Sequence, residues 1–244
     1  METTVDAVLY GALTLRQPLR GPRVALDSIL LAAWARPPRR GRVLELGSAH
    51  GGVTLLVALR NRGLAHLEGL EIQEPLYRLA LENGRANGLD VLFRLGDLRD
   101  HRRLYGPQSF DLVVANPPYD DLARGRLSAD GASAGARQET TCRLADVVEA
   151  ARYLLRDGGR LSLVFRADRL AELLEGLRTS RLEPKRLRAV HHSPDREASI
   201  VLVEAVRSGS LGLRMERPLF VVDGEGRTPP DLASAYEVGE GPCL

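Results

Sequence analysis

The chain has 244 residues, 44% hydrophobic and 27% charged, and its 34 basic and 32 acidic side chains leave a net charge of +2. This composition excludes a wholly disordered chain and accommodates one large domain or two small ones. No apolar run approaches the roughly 18 residues of a membrane-crossing helix, the acids near Met1 do not suit a secretory leader, and Cys142 and Cys243 form neither a metal-site spacing nor a disulfide framework; a soluble cytoplasmic protein is expected.

Residues 1–25 hold turn-forming clusters and little period. Asp27 offers an N-cap for the apolar run Ser28 to Ala35, which Pro37 and Pro38 stop. From Gly41 strand and helix alternate. Arg42 to Leu46 reads as a strand, Gly52 to Asn61 as a helix, and Leu67 to Ile72 as the next strand. Pro75 to Asn87 is an amphipathic helix stopped at Asn87-Gly88. Val91 to Leu95 and Phe110 to Ala115 are strands. Cys142 to Leu155 reads as a long helix closed by Asp157-Gly158-Gly159. Arg160 to Phe165 is a fifth strand and Asp168 to Leu177 a helix. Arg186 to His191 and Ala198 to Val206 can pair as a hairpin through Ser193-Pro194-Asp195. Five strands alternating with helices argue a doubly wound α/β sheet, because parallel strands need crossover helices; the last two strands would add an antiparallel edge. The expected organisation is an N-terminal extension over 1–40 with a short helix on the core, a domain over 41–206, and a tail over 207–244. Residues 120–138 show no hydrophobic period and follow the fourth strand directly, the pattern of a functional lid or a disordered loop.

Three constellations carry chemistry. In Val43 to Gly52 a strand ends in Glu45 and enters a glycine turn that opens a helix, a place where backbone N–H groups can meet a polar or anionic ligand. The next strand ends in Glu71, an acid placed to accept ribose hydroxyls. The dinucleotide glycine spacing fails at Ala49, which fits if its φ is negative; an ordinary tight turn would read the same way. Leu95 to Leu98 ends the third strand with Asp97, which can accept from an adenine amine, and Leu98, which can pack on the ring; Gly-Asp is also a common turn. The third, Phe110 to Tyr119, decides the matter. A strand delivers Asn116-Pro117-Pro118-Tyr119 to its carboxyl end, where ligands of open α/β sheets bind. Two prolines fix the backbone, so the Asn116 side chain and the Pro117 carbonyl can accept from one NH₂ group. Tyr119 offers a face for a base. Two acceptors on a conjugated amine favour positive charge developing on nitrogen as it attacks a methyl group.

These residues, in this order and spacing, resemble the class I S-adenosylmethionine-dependent methyltransferases with an Asn-Pro-Pro-Tyr motif. Gln17 to Leu31, Arg160 to Leu174 and Pro218 to Thr228 narrow the resemblance to the bacterial tRNA(Val) (adenine-N6) methyltransferase family, over roughly residues 20–206. The resemblance implies a Rossmann-like seven-stranded sheet, five strands parallel plus an antiparallel edge hairpin, with helices on both faces. It implies S-adenosyl-L-methionine as methyl donor and an adenine N6 amine in tRNA as acceptor. On that basis Gly47 and Gly51 face the donor's methionine portion, with Glu45 beside them, Glu71 its ribose, and Asp97 and Leu98 its adenine. Asn116 and Pro117 hold the acceptor amine, and Tyr119 stacks on its base. The histidines show no ligand spacing, so no metal is expected, and no general base is assigned.

A nucleic-acid substrate also needs basic surface. Every basic residue except Lys185 is Arg, which suits phosphate forks but also a GC-rich genome. Residues 1–42 carry seven Arg against three acids, with Arg36, Arg39, Arg40 and Arg42 close together. Arg99, Arg102 and Arg103 follow the third strand, and Arg178, Arg181, Lys185, Arg186 and Arg188 form a second group. Pro118, Arg124, Arg126, Arg186 and Arg188 are the expected substrate contacts. Ribosomal RNA guanine or adenine, or a protein glutamine amide, stand as other acceptors for the same chemistry. A protein that binds RNA or S-adenosylmethionine without turnover is the reading from another class. The oligomeric state is not legible.

Overall fold

A computed structural model of the chain describes residues 1–117 and 142–238. Of the expected site residues, Pro118, Tyr119, Arg124 and Arg126 lie outside the described residues, as does the loop 120–138.

The chain opens with β1 (Thr3–Val8) and β2 (Leu13–Pro18), an antiparallel hairpin separate from the main sheet. Little regular structure is expected there from the sequence, yet Leu13, Leu15 and Gln17 alternate inward along β2 while Thr14 and Arg16 face out, the period-2 signature of a strand with one buried face. Helix α1 (Leu26–Trp34) follows. Its N-cap is Ala25, not Asp27, which falls in the first turn instead. Every residue from Ser28 to Trp34 is buried, so the helix is packed on all sides until Pro37 and Pro38 prevent its continuation.

The central alternation then runs β3 (Arg42–Leu46), α2 (Gly52–Arg60), β4 (His66–Glu71), α3 (Glu74–Ala86) and β5 (Leu92–Leu95). A 3-10 turn over Leu98–Asp100 leads into the single-turn helix α4 (His101–Leu104), and β6 (Phe110–Ala115) follows. Beyond residue 141 come α5 (Leu144–Leu154), β7 (Leu155–Arg166), α6 (Leu170–Thr179), β8 (Leu182–His191) and β9 (Ala198–Arg207). Strand β7 begins straight after α5: Asp157-Gly158-Gly159 lies within it as an irregularity where the register against β6 shifts, with Gly158 at φ +76°.

Strands β5, β4, β3, β6 and β7 lie side by side in that order, all parallel. Strand β9 joins β7 antiparallel and β8 joins β9 antiparallel. β8 therefore points the same way as the parallel set, and β9 alone of these seven is reversed. The seven expected strands are present, but β8 is not the edge. Two-residue strands β10 (Arg214–Met215) and β11 (Leu219–Phe220) both pair parallel with it, which makes nine strands in the sheet among the described residues.

Period-2 alternation sends successive side chains to opposite faces. Leu112 and Val114 of β6 join α1 and α2 in one apolar core, whereas Val113 and Ala115 join α5 and α6 in the other. The segment after Arg207 packs on the first of these faces: Leu219, Leu232 and Ala235 belong to that core, and helix α7 (Pro230–Tyr236) lies against α1. The described part of the tail is thus built into the fold.

Candidate active site

Parallel α/β sheets bind ligands beyond the carboxyl ends of their strands, and here those ends form one cleft of about 410 Å³, within the range of small-molecule sites. Across the sheet it runs from β6 over β3 and β4 to β5.

At the end of β3, Gly47 N–H and Ser48 N–H both donate to Leu70 O on β4, each at 2.9 Å, so the glycine turn is tied to the next strand. Gly47 (φ +75°) has open space where a side chain would start. Gly51 (φ +86°) does not face the cleft: a Cβ there would lie 2.8 Å from the Phe93 ring. Its role is close packing of the turn on β5 and α3. Ala49 has φ +49°, a left-handed conformation and not the negative φ that would suit alanine; this costs about 1 kcal/mol. Its N–H is nonetheless used, donating to Glu71 Oε2 at 2.8 Å.

Glu71 ends β4, is nearly buried, and also accepts the Gln73 N–H at 2.7 Å. Burial raises its pKa. Glu45, on β3, is buried and accepts from the Thr54 hydroxyl; burial pushes its pKa up to about 8, so it is mostly protonated at neutral pH. Asp97, after β5, caps the 3-10 turn through the Arg99 N–H at 2.9 Å and meets the Arg99 guanidinium, with Nε to Oδ2 at 2.8 Å. Burial pushes this carboxyl up, but the Arg99 contacts outweigh it and hold the pKa below the usual carboxylate value. Leu98 completes this wall of the cleft.

Asn116 follows β6 and lines the cleft beside the glycine turn; Pro117, next to it, is buried. The cleft therefore brings together Glu45, Gly47, Glu71, Asp97, Leu98 and Asn116. It also recruits residues outside the three motifs. Asp27 reaches Asn116 from α1, its Oδ2 accepting from Asn116 Nδ2 at 3.2 Å. Arg23 also lines the cleft, held by Asp6 (2.9 Å), the Thr4 hydroxyl (2.9 Å) and Pro18 O (2.8 Å). His50 is buried in the turn, and burial lowers its pKa to about 4, so its ring is neutral. Among the described residues, the Ser48 hydroxyl and both His50 ring nitrogens have no hydrogen-bond partner. Polar atoms buried without partners are costly, and a polar ligand in this cleft would have partners to offer. A ribose-bearing, amino-acid-bearing ligand fits that donor and acceptor set.

Arg186 and Arg188 are not surface contacts for a phosphate backbone. Both are about 6% exposed. Arg186 donates to Glu216 at 2.8 Å and to Glu204 at 3.5 Å, and its guanidinium lies 3.7 Å over the Trp34 ring. Arg188 pairs with Asp231 on α7 and donates to Arg217 O at 3.0 Å. Two residues apart on β8, they share the face that receives α1 and the C-terminal segment. Their neighbour Lys185 donates to Ser210 O at 3.1 Å. Arg20, Arg39, Arg40, Arg103 and Arg181 are exposed. Among the described residues no cluster of His, Cys, Asp and Glu could hold a metal ion, and no helix is long and apolar enough to cross a membrane.

Residues 24–179 match the model of the methyltransferase small domain family. The chain is 34% identical over 190 residues to the tRNA1(Val) (adenine(37)-N6)-methyltransferase of Porphyromonas gingivalis, covering 75% of this chain and 73% of that one. It is 28% identical over 207 residues to the protein of the same name from Parabacteroides distasonis, covering 80% and 84%. Among solved structures, a predicted O-methyltransferase from Agrobacterium tumefaciens superposes with a TM-score of 0.70 at 21% identity, over 88% of this chain and 99% of that one. TrmN from Thermus thermophilus gives 0.53 at 23% identity, over 75% and 48%. These two likenesses show a shared methyltransferase fold.

Proposed function

The chain belongs to the methyltransferase small domain family, among the relatives of the bacterial tRNA1(Val) (adenine(37)-N6)-methyltransferases, and from that membership we propose that it methylates the N6 amine of an adenine in tRNA. It is an S-adenosylmethionine-dependent N-methyltransferase. The observation that carries the site assignment is the order of residues along the cleft, with Asn116 after β6, the glycine turn after β3, Glu71 at the end of β4 and Asp97 after β5.

S-adenosylmethionine, when bound, supplies an electrophilic methyl group on a sulfonium, and its transfer leaves a neutral thioether and a surplus proton on the accepting nitrogen. On our reading Glu71 takes the ribose hydroxyls, and Asp97 and Leu98 hold the adenine. The Gly47 turn and Glu45 line the methionine end, where Arg23 offers a cation for the α-carboxylate and Ser48 and His50 offer unused polar atoms. Gly51 keeps the turn tight from behind. Asn116 Oδ1 and the Pro117 carbonyl accept from the target amine. Accepting both N–H bonds holds the nitrogen in place and favours the positive charge that grows on it, a stabilisation larger in the transition state than in the ground state. The proton leaves to water. Tyr119, with Pro118, supplies the face for the target base, and Arg124 and Arg126 follow it in the sequence. A stacked adenine must turn out to reach this site, at a cost of about a few kcal/mol.

The cytoplasm is the proposed location, where tRNA is found. We further propose one catalytic domain extended at both ends, with the hairpin β1–β2 bracing Arg23 and the C-terminal segment covering β8. The test of the assignment is Asn116→Ala. S-adenosylhomocysteine affinity should stay unchanged while turnover on tRNA falls about 10²- to 10³-fold, the range for losing one transition-state partner. Normal turnover in this variant would remove Asn116 from the mechanism.

A further inference from the structure

The Asn116 amide has two unlike ends, and only one of them can accept from an amine. Its Nδ2 donates to Asp27 Oδ2 at 3.2 Å, which turns the carbonyl end away from Asp27, and the residue lines the cleft. The other carboxylate oxygen of Asp27 is committed to its own helix, accepting the Ser28 N–H at 2.7 Å and the Ser28 hydroxyl at 3.3 Å. An ionised carboxylate accepts and never donates, so whichever end of the amide faces Oδ2 must be the NH₂. The first turn of α1 also favours a negative charge, and the buried helix behind it leaves Asp27 little freedom.

We propose that Asp27 is a positioning residue for methyl transfer: it fixes the Asn116 amide with the carbonyl toward the acceptor amine. The proposal rests on the reading that Asn116 accepts from that amine. A reversed amide would present N–H groups to the N–H groups of the substrate, and the favourable contact would become a repulsive one. The carboxylate adds a second effect. By accepting from Nδ2 it polarises the amide and makes Oδ1 a stronger acceptor, just where positive charge develops. A plain structural tie between α1 and the end of β6 would use the same hydrogen bond, so the test must separate the two roles.

Asp27→Asn does so because the new side chain is isosteric and must still satisfy the Ser28 N–H. Its oxygen turns to Ser28, its NH₂ faces Asn116, and the Asn116 amide is driven into the wrong orientation. Turnover on tRNA should fall roughly 10- to 100-fold, with S-adenosylhomocysteine affinity and the KM for tRNA unchanged. Asp27→Ala removes the constraint without enforcing the wrong orientation, so it should lose less than Asp27→Asn. A structural tie predicts the opposite ranking, with the conservative variant milder. The sign should also reverse in an Asn116→Asp background. Both oxygens at position 116 then accept, so there is no orientation to set, and two carboxylates face each other. Adding Asp27→Asn there relieves the repulsion and should raise turnover. Loss of the same sign in both backgrounds, or Asp27→Ala worse than Asp27→Asn, would overturn the positioning role; the ranking of the single variants decides alone if the Asn116→Asp protein is inactive. Full turnover in Asn116→Ala would instead overturn the site assignment on which the proposal rests.

Discussion

Ala49 holds a backbone conformation that alanine disfavours, at the point where the glycine turn meets Glu71. Its φ of +49° is left-handed, and its N–H to Glu71 Oε2 fixes it there. Glycine adopts this conformation without the Cβ penalty while keeping the same N–H. Ala49→Gly should therefore stabilise the protein by about 1 kcal/mol in urea unfolding and leave S-adenosylhomocysteine affinity unchanged. A variant no more stable than the parent would mean that neighbouring contacts already absorb the strain. At this scale the motif residues are legible because each chemistry-bearing side chain sits at or just beyond the carboxyl end of a strand: Glu71 ends β4, and Asp97 and Asn116 follow β5 and β6. Asp27 reads as a helix cap from the sequence, because Asp before an apolar run fits that pattern equally well, but the cap is Ala25. What redirects it is Asn116, 89 positions away, and sequence spacing carries no such information.

Among the elements, β8 shows best how charge can mislead. Arg186 and Arg188, read along the chain, look like a basic patch; folded, they alternate inward with Leu187 facing the opposite core. Arg186 sits among Glu204, Glu216 and the Trp34 ring. Removing the central cation strips the buried Glu204 carboxylate of its ion pair, and breaking a buried pair typically costs about 3–5 kcal/mol. Arg186→Met should accordingly lower the free energy of unfolding measured in denaturant by that amount. If it weakened tRNA binding with stability untouched, the buried ion pairs would not be what holds this edge. The five parallel strands were readable because apolar runs such as Phe110 to Ala115, buried on both faces, dominate local composition. The β1–β2 hairpin was not, because only Leu13, Leu15 and Gln17 mark its inward face among polar neighbours. Strands β10 and β11 are two residues each, too short for any period to show.

For the molecule as a whole, the question is where a large polyanion meets the cleft. With Arg186 and Arg188 internal, exposed cations close to the cleft in sequence include Arg20, two positions before cleft-lining Pro22, and Arg103, four positions after cleft-lining Arg99. Both belong to the basic segments noted in the sequence. Replacing either with Glu should weaken tRNA binding and flatten its dependence on salt, since each lost phosphate contact reduces counterion release. Binding and salt slope identical to the parent would place the RNA on another face. The near-neutral total charge concealed this distribution, and net charge was a poor guide to the partner.

The central claim is that this chain moves a methyl group from S-adenosylmethionine to N6 of adenine in tRNA. Its most direct test incubates the purified protein with tritiated S-adenosylmethionine and unmodified bulk tRNA, rRNA and total protein, each separately, then digests the labelled fraction to nucleosides or amino acids. The account predicts label in tRNA alone, recovered as N6-methyladenosine. Label in rRNA or on a protein amide, or no label in any fraction, would contradict it.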